Sequence, residues 1–159
     1  MSWPTVLNGM LQLSIHMLHK VELFKLNLIK LRVKEKNLKA KSEGDNSLKR
    51  KDYMRALFSY TEAIAADPSD ATALSSRSCC FACIGDGSNA WADAKACTRL
   101  RPDWPEAHYR AGVALGLLEK FDMAADSFLL GVKLDPKDND LRDAFRFSSY
   151  KFIFILFIV

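Results

Sequence analysis

The chain has 159 residues, 49% of them apolar, 26% charged and 11% aromatic, with a formal net charge of +4. Those values allow one domain with a sizeable core and exclude a disordered or collagen-like chain. Seven glycines and five prolines are few for a sandwich of tightly turned strands, so a mostly helical chain is expected.

Charge is unevenly spread. Residues 1–50 hold ten Lys/Arg against four Asp/Glu, whereas residues 51–159 hold thirteen against fifteen. The second part therefore excludes a basic nucleic-acid binder, and no nucleic-acid partner is expected. The start, MSWPTVLNGM, lacks the basic stretch of a secretory signal, and four cysteines come much later, so a reduced, cytoplasmic setting is expected. No stretch of 18 apolar residues occurs, so no segment is expected to span a membrane.

Residues 1–36 form the first predicted segment, a basic and apolar helix or linker. Leu23, Leu26 and Ile29, with Leu31 and Val33, can line a helical face, and Lys25, Lys30, Arg32, Lys34 and Lys36 are scattered around it. The favoured expectation is a helix packed on the helices C-terminal to it, because Val21, Phe24 and Leu28 widen the apolar face beyond a clean stripe. The alternative is a basic helix that contacts an anionic membrane or directs nuclear entry.

From residue 37 the chain repeats itself every 34 residues. Pro68, Pro102 and Pro136 share that interval, as do Ala56, Ala90 and Ala124, and Gly44, Ser78 and Gly112. A small residue on each of two helices lets their backbones approach as an antiparallel pair, with Leu57, Tyr60 and Ile64 filling the remaining contact. The closing proline disfavours helical geometry in the residue before it and so stops the second helix. Helices are predicted over 37–50 and 53–66, 71–84 and 88–100, and 105–118 and 121–134. A capping helix over 138–150 is predicted next, with Leu141, Ala144 and Phe145 on its apolar side. The residues from 151 to 159 end in the apolar run FIFILFIV, too short to cross a bilayer and of aggregation-prone composition.

This pattern resembles the tetratricopeptide repeat (TPR), with units near 37–70, 71–104 and 105–138. The family's small columns and proline read Gly44, Ala56, Ala63, Pro68, then Ser78, Ala90, Cys97, Pro102, then Gly112, Ala124, Gly131, Pro136. Its fourth position, often Trp, is Ala40, Leu74 and His108 here. The resemblance implies an all-α superhelix of three helix–turn–helix repeats with a C-terminal cap. The runs LKRKDYMRA, DATALSSRSCC and RPDWPEAHYRAGVAL are similar, more narrowly, to the TPR segment of plant ankyrin-repeat/TPR proteins, and more weakly to the TPR tail of plant brassinosteroid-signalling kinases. No ankyrin-like T-P-L-H motif precedes residue 37.

Catalytic chemistry finds little support. The Cys80–Cys83 C-x-x-C falls in mid-helix, where no helix N-terminus lowers a thiol pKa, and Cys79 and Cys97 add no clustered histidine. No phosphate loop, G-x-S-x-G or H-E-x-x-H occurs, so no enzyme, metal or cofactor is expected.

Binding remains, in the concave face lined by the first helix of each unit. The expected groove comprises Lys41, Asp45, Ser76, Cys79, Ala82, Cys83, Glu106, Tyr109, Arg110 and Val113, a charged rim over a small apolar floor suited to a partner peptide. The expected function is a non-catalytic scaffold or adaptor, with plant signalling as the context the narrower resemblance implies. A co-chaperone module and a peripheral membrane protein are the alternatives.

Chaperone-binding TPR domains grip C-terminal carboxylates with Lys, Asn, Asn, Lys and Arg. The matching positions here are Lys41, Asp45, Ser76, Glu106 and Arg110. Losing two or three charged hydrogen bonds, each about 1.5–3 kcal/mol, costs roughly a hundredfold or more. A carboxylate facing a carboxylate adds repulsion of up to about 4 kcal/mol. On that reckoning acidic chaperone tails are expected not to bind.

Overall fold

The computed structural model describes residues 2–158; at Phe152 and residues 154–158 it describes the backbone alone. The side chains of the apolar run at 152–159, Ile153 apart, thus lie outside the described residues. Seven helices and no strand occur among the described residues: α1 (Trp3–Lys49), α2 (Tyr53–Ala66), α3 (Ala71–Cys83), α4 (Gly87–Leu100), α5 (Pro105–Leu117), α6 (Phe121–Leu134) and α7 (Asn139–Ile158). Contacts divide the chain into one unit of residues 1–36 and a second from Asn37 onward. In the first unit the backbone is helical from Trp3, and every described side chain through Lys36 is exposed.

The second unit stacks its helices in sequence order, and the 34-residue step is written into its turns. Each pair turns through one residue with positive φ: Lys51 at 60°, Gly85 at 80° and Glu119 at 59°. The hydrogen bonds of the turn repeat with it. Asp52 N–H donates to the Ser47 carbonyl, Asp86 to Phe81 and Lys120 to Leu115, each at 2.9 Å. This is a left-handed helix cap, which satisfies carbonyls left over at the end of the first helix. Each second helix ends on an extended residue directly before proline, namely Asp67, Arg101 and Asp135, with φ of −139°, −138° and −133°.

Packing between paired helices depends on the small column. A Cβ added to Gly44 would lie 2.7 Å from the Tyr60 ring, and one added to Gly112 would lie 2.6 Å from the Phe128 ring. In the middle repeat the equivalent pair is Ser78 and Ala94, both buried, and the Ser78 hydroxyl donates to the Ala90 carbonyl at 2.8 Å. Successive repeats meet through a second set of pairs, Ala63 with Ala73 and Cys97 with Ala107. Where α7 replaces a fourth repeat, Gly131 makes room for Leu141, whose side chain would meet an added Cβ at 2.6 Å. Leu141 is buried, and Ala144 and Phe145 pack on the same cluster with Leu115, Ala124 and Phe128. Burying each such large side chain contributes about 1.5–3 kcal/mol, which ties α7 to the last repeat.

Candidate functional site

The first helices α3 and α5 pack directly against each other, and α3 also packs on α2 and α4. Along α1, α3 and α5, small residues such as Gly44, Ser78 and Gly112 turn inward. Lys41, Asp45, Ser76, Cys79, Ala82, Cys83, Glu106, Tyr109, Arg110 and Val113 are all half-buried or exposed. Helical spacing of three and four residues puts these side chains on one face of each helix.

Several of them meet. Lys41 Nζ pairs with Asp70 at 3.0 Å and donates to the Thr72 hydroxyl, so its ammonium is held at the start of α3. Burial alone would raise the Asp70 carboxyl, but Thr72, Lys41 and the Ala73 N–H together bring it down to about 2. The Tyr60 hydroxyl donates to Asp45 at 2.6 Å. The Tyr60 phenol pKa is raised first by burial and then by Asp45. Tyr60 on α2 therefore holds Asp45 on α1.

A second group lies on α3 and α5. Arg110 pairs with Glu106 at 2.7 Å, one helical turn away, and its guanidinium lies 5.5 Å from the Tyr109 ring centre. The Arg110 Nε–H is buried and has no hydrogen-bond partner. Tyr109 in turn packs on Phe128, with ring centres 5.7 Å apart. Burial raises the Cys79 thiol pKa, with Arg110 pulling it back, and burial pushes Cys80 up to about 12 and Cys97 to about 11. All four cysteines are free, and at neutral pH the three with raised values are thiols that pack as small apolar groups. No group of three or more His, Cys, Asp or Glu side chains suited to a metal ion occurs among the described residues.

Two features lay outside the reach of the sequence. The cysteines of α3, Cys83 foremost, raise the phenol pKa of Tyr53 at the start of α2. Beyond Val113, a pocket of about 400 Å³ opens between α5, α6 and α7, lined by Gly112, Gly116, Phe121, Phe128, Phe147 and Lys151 among others. Gly112 and Gly116, two absent side chains one turn apart on α5, leave the room for it. No helix among the described residues is long and apolar enough to cross a membrane.

No protein-family model matches the chain. It is 33% identical over 116 residues to Protein STIP1 homolog of Dictyostelium discoideum, a match covering 73% of this chain and 21% of that protein. It is 35% identical over 106 residues to Hsp70-Hsp90 organizing protein 3 of Arabidopsis thaliana, covering 67% of this chain and 19% of that protein. The chain thus spans about a fifth of the length of these curated relatives.

Among solved structures, the first TPR of Spaghetti (RPAP3) bound to the HSP90 peptide SRMEEVD has a TM-score of 0.72 at 23% identity, covering 75% of this chain and 94% of that one. The second TPR domain of human RPAP3, in complex with the HSP70 peptide SGPTIEEVD, has a TM-score of 0.71 at 24% identity, covering 74% and 98%. These likenesses show the fold: an all-α TPR superhelix of helix–turn–helix repeats.

They also overturn the expectation that acidic chaperone tails are excluded, since domains of this fold hold such peptides and the curated relatives are Hsp70–Hsp90 organisers. The geometry supplies the physical reason. That expectation counted Glu106 and Asp45 as bare carboxylates facing a ligand. Glu106 is instead paired with Arg110, and Asp45 accepts a hydrogen bond from Tyr60, so neither carboxylate stands unpartnered toward a ligand.

Proposed function

We propose that the chain acts as a co-chaperone-type peptide receptor, its groove taking the acidic C-terminal tail of an Hsp70- or Hsp90-class chaperone. The single observation carrying this reading is the placement of Lys41 and Arg110 on α1 and α5, each held by a carboxylate neighbour. Those ion pairs fix the cations in place while leaving N–H donors for a ligand carboxylate. The half-buried Ser76 hydroxyl offers a neutral partner between them. Tyr109, Val113 and the apolar pocket beside α7 suit the less polar part of a peptide. Two charge-assisted hydrogen bonds of about 1.5–3 kcal/mol each, with about 2–5 kcal/mol from apolar burial, correspond to an affinity of roughly micromolar order.

The test is a titration of the full chain with SRMEEVD and SGPTIEEVD peptides, each with a free and an amidated C-terminus. The reading expects micromolar binding of the free acids, about tenfold or more lost on amidation, and a comparable loss in Lys41→Ala and Arg110→Ala. Equal affinity for free and amidated peptides, or none at millimolar peptide, would contradict it.

A second reading, a scaffold for a different partner peptide, is favoured by one observation: Asp45, Ser76 and Glu106 stand where chaperone-binding grooves of this fold class carry amides and a lysine. The likeness to plant ankyrin-repeat/TPR proteins, with its signalling context, rests on the runs LKRKDYMRA, DATALSSRSCC and RPDWPEAHYRAGVAL alone.

A further inference from the structure

The unit of residues 1–36 carries a pattern that the groove does not use. Stepping alternately by four and three from Trp3, the chain reads Trp3, Leu7, Met10, Ser14, Met17, Val21, Phe24, Leu28, Leu31 and Glu35, apolar at eight of ten positions. That alternation is the seam of a coiled coil, sustained here over more than four heptads. In the structure the segment is helical and the seam is bare, with Met17 61%, Phe24 65% and Leu31 63% exposed. An apolar stripe of that length, left in water, marks an interaction surface.

The flanks say what fits it. The positions beside the seam are apolar up to Leu18 (Val6, Leu11, Leu13), then polar, with Lys20, Lys25, Arg32 and Lys34 basic and Asn27 neutral. No acidic residue occupies a flanking position in this segment. A second copy would therefore bring to the C-terminal flanks only further cations if parallel, or the apolar Val6 and Leu11 if antiparallel, and in neither case an acidic partner. A helix lying on a lipid surface needs one polar side. At about 100° per residue, Lys30 and Lys34 lie opposite Lys25 and Arg32, so no such side exists here.

We propose that residues 3–35 form one strand of a heteromeric coiled coil, whose partner is a helix with an apolar heptad seam and acidic flanks. Glutamates on the partner would pair with Lys20, Lys25, Arg32 and Lys34 and set the choice of partner, while the shared seam supplies the burial.

The test mixes the full chain with two synthetic helical peptides, both with Leu at the seam, one flanked by Glu and the other by Lys. Binding is followed by fluorescence anisotropy, and stoichiometry and self-association by sedimentation equilibrium. A one-to-one complex with the Glu-flanked peptide is expected, about tenfold or more tighter than with the Lys-flanked one at low salt, the gap narrowing as salt rises. The seam variant Val21→Gln/Phe24→Gln/Leu28→Gln should lose about tenfold or more. The off-seam variant Leu23→Gln/Leu26→Gln/Ile29→Gln should stay within about threefold, since Gln keeps helix propensity. Equal affinity for both peptides, equal losses in both variants, dimers of the chain alone in place of the complex, or binding only to phosphatidylglycerol vesicles would each overturn the proposal.

Discussion

The middle repeat and its two neighbours build the same helix pair with different residues. The outer repeats cross at Gly44 against Tyr60 and Gly112 against Phe128, a missing side chain receiving a ring. The middle one crosses at Ser78 against Ala94, two small side chains joined to the neighbouring helix by the hydroxyl's bond to Ala90. The turns divide the same way, since the middle repeat has Gly85 at its left-handed residue and the outer two have Lys51 and Glu119. What is kept at each crossing is the space between two backbones, and either partner can fill it.

The sharpest way to break that comparison is to exchange the solutions. Phe128→Ala alone should cost about 3–5 kcal/mol, and Gly112→Ala about 1–3 kcal/mol, because its Cβ would meet the Phe128 ring. Gly112→Ser combined with Phe128→Ala recreates the middle arrangement, with Ala124 offering the carbonyl equivalent to that of Ala90. Urea denaturation of the double variant should show at least about 0.5 kcal/mol of favourable coupling relative to the sum of the single changes. Strict additivity would mean the two residues do not share one space.

Acid provides a second lever, because the repeats start their first helices differently. The α3 helix begins on Asp70, which caps Thr72 and Ala73 and pairs with Lys41, whereas α5 begins on Trp104 and Pro105 with no side-chain cap. The Asp70 carboxyl is lowered to about 2 from 3.8, so the unfolded chain takes up its proton first as pH falls. Stability from this group is therefore complete above about pH 4 and is lost as pH drops toward about 2. Asp70→Asn should cost about 1–2 kcal/mol at neutral pH and flatten the acid branch of a stability-against-pH curve. An unchanged acid branch would place the sensitivity elsewhere.

The smallest effects come from the turns. Lys51→Gly and Glu119→Gly should each raise stability by up to about 1 kcal/mol, and Gly85→Ala should lower it by about as much, read from thermal midpoints. A destabilising Lys51→Gly would mean that the lysine side chain contributes more than its backbone conformation costs.

Those turns also mark where the sequence stops being readable. Pro68, Pro102 and Pro136 announce the second-helix ends because a proline constrains its neighbour whatever the context. Lys51 and Glu119 give no local sign of a positive φ, and only their 34-residue spacing from Gly85 reveals it. The groove positions come from the same period, since a helix face is set by spacing alone. Their partners come only in part from it: Glu106 pairs with Arg110 one turn on. The i,i+4 spacing of that pair was legible, but the bond from Tyr60 to Asp45 needed the third dimension. The pocket beside α7 likewise depends on how the last helix closes over Gly112 and Gly116.

On the proposed function, α1 beyond residue 37, α3 and α5 present one peptide-binding face. Two-dimensional amide spectra of the labelled full chain, recorded while SGPTIEEVD is added, test it most directly. The account predicts saturable shifts concentrated around Lys41, Ser76, Glu106 and Arg110, and their absence with the amidated peptide. Shifts centred instead on the outer helices α2, α4 and α6, or no shifts at all, would contradict it.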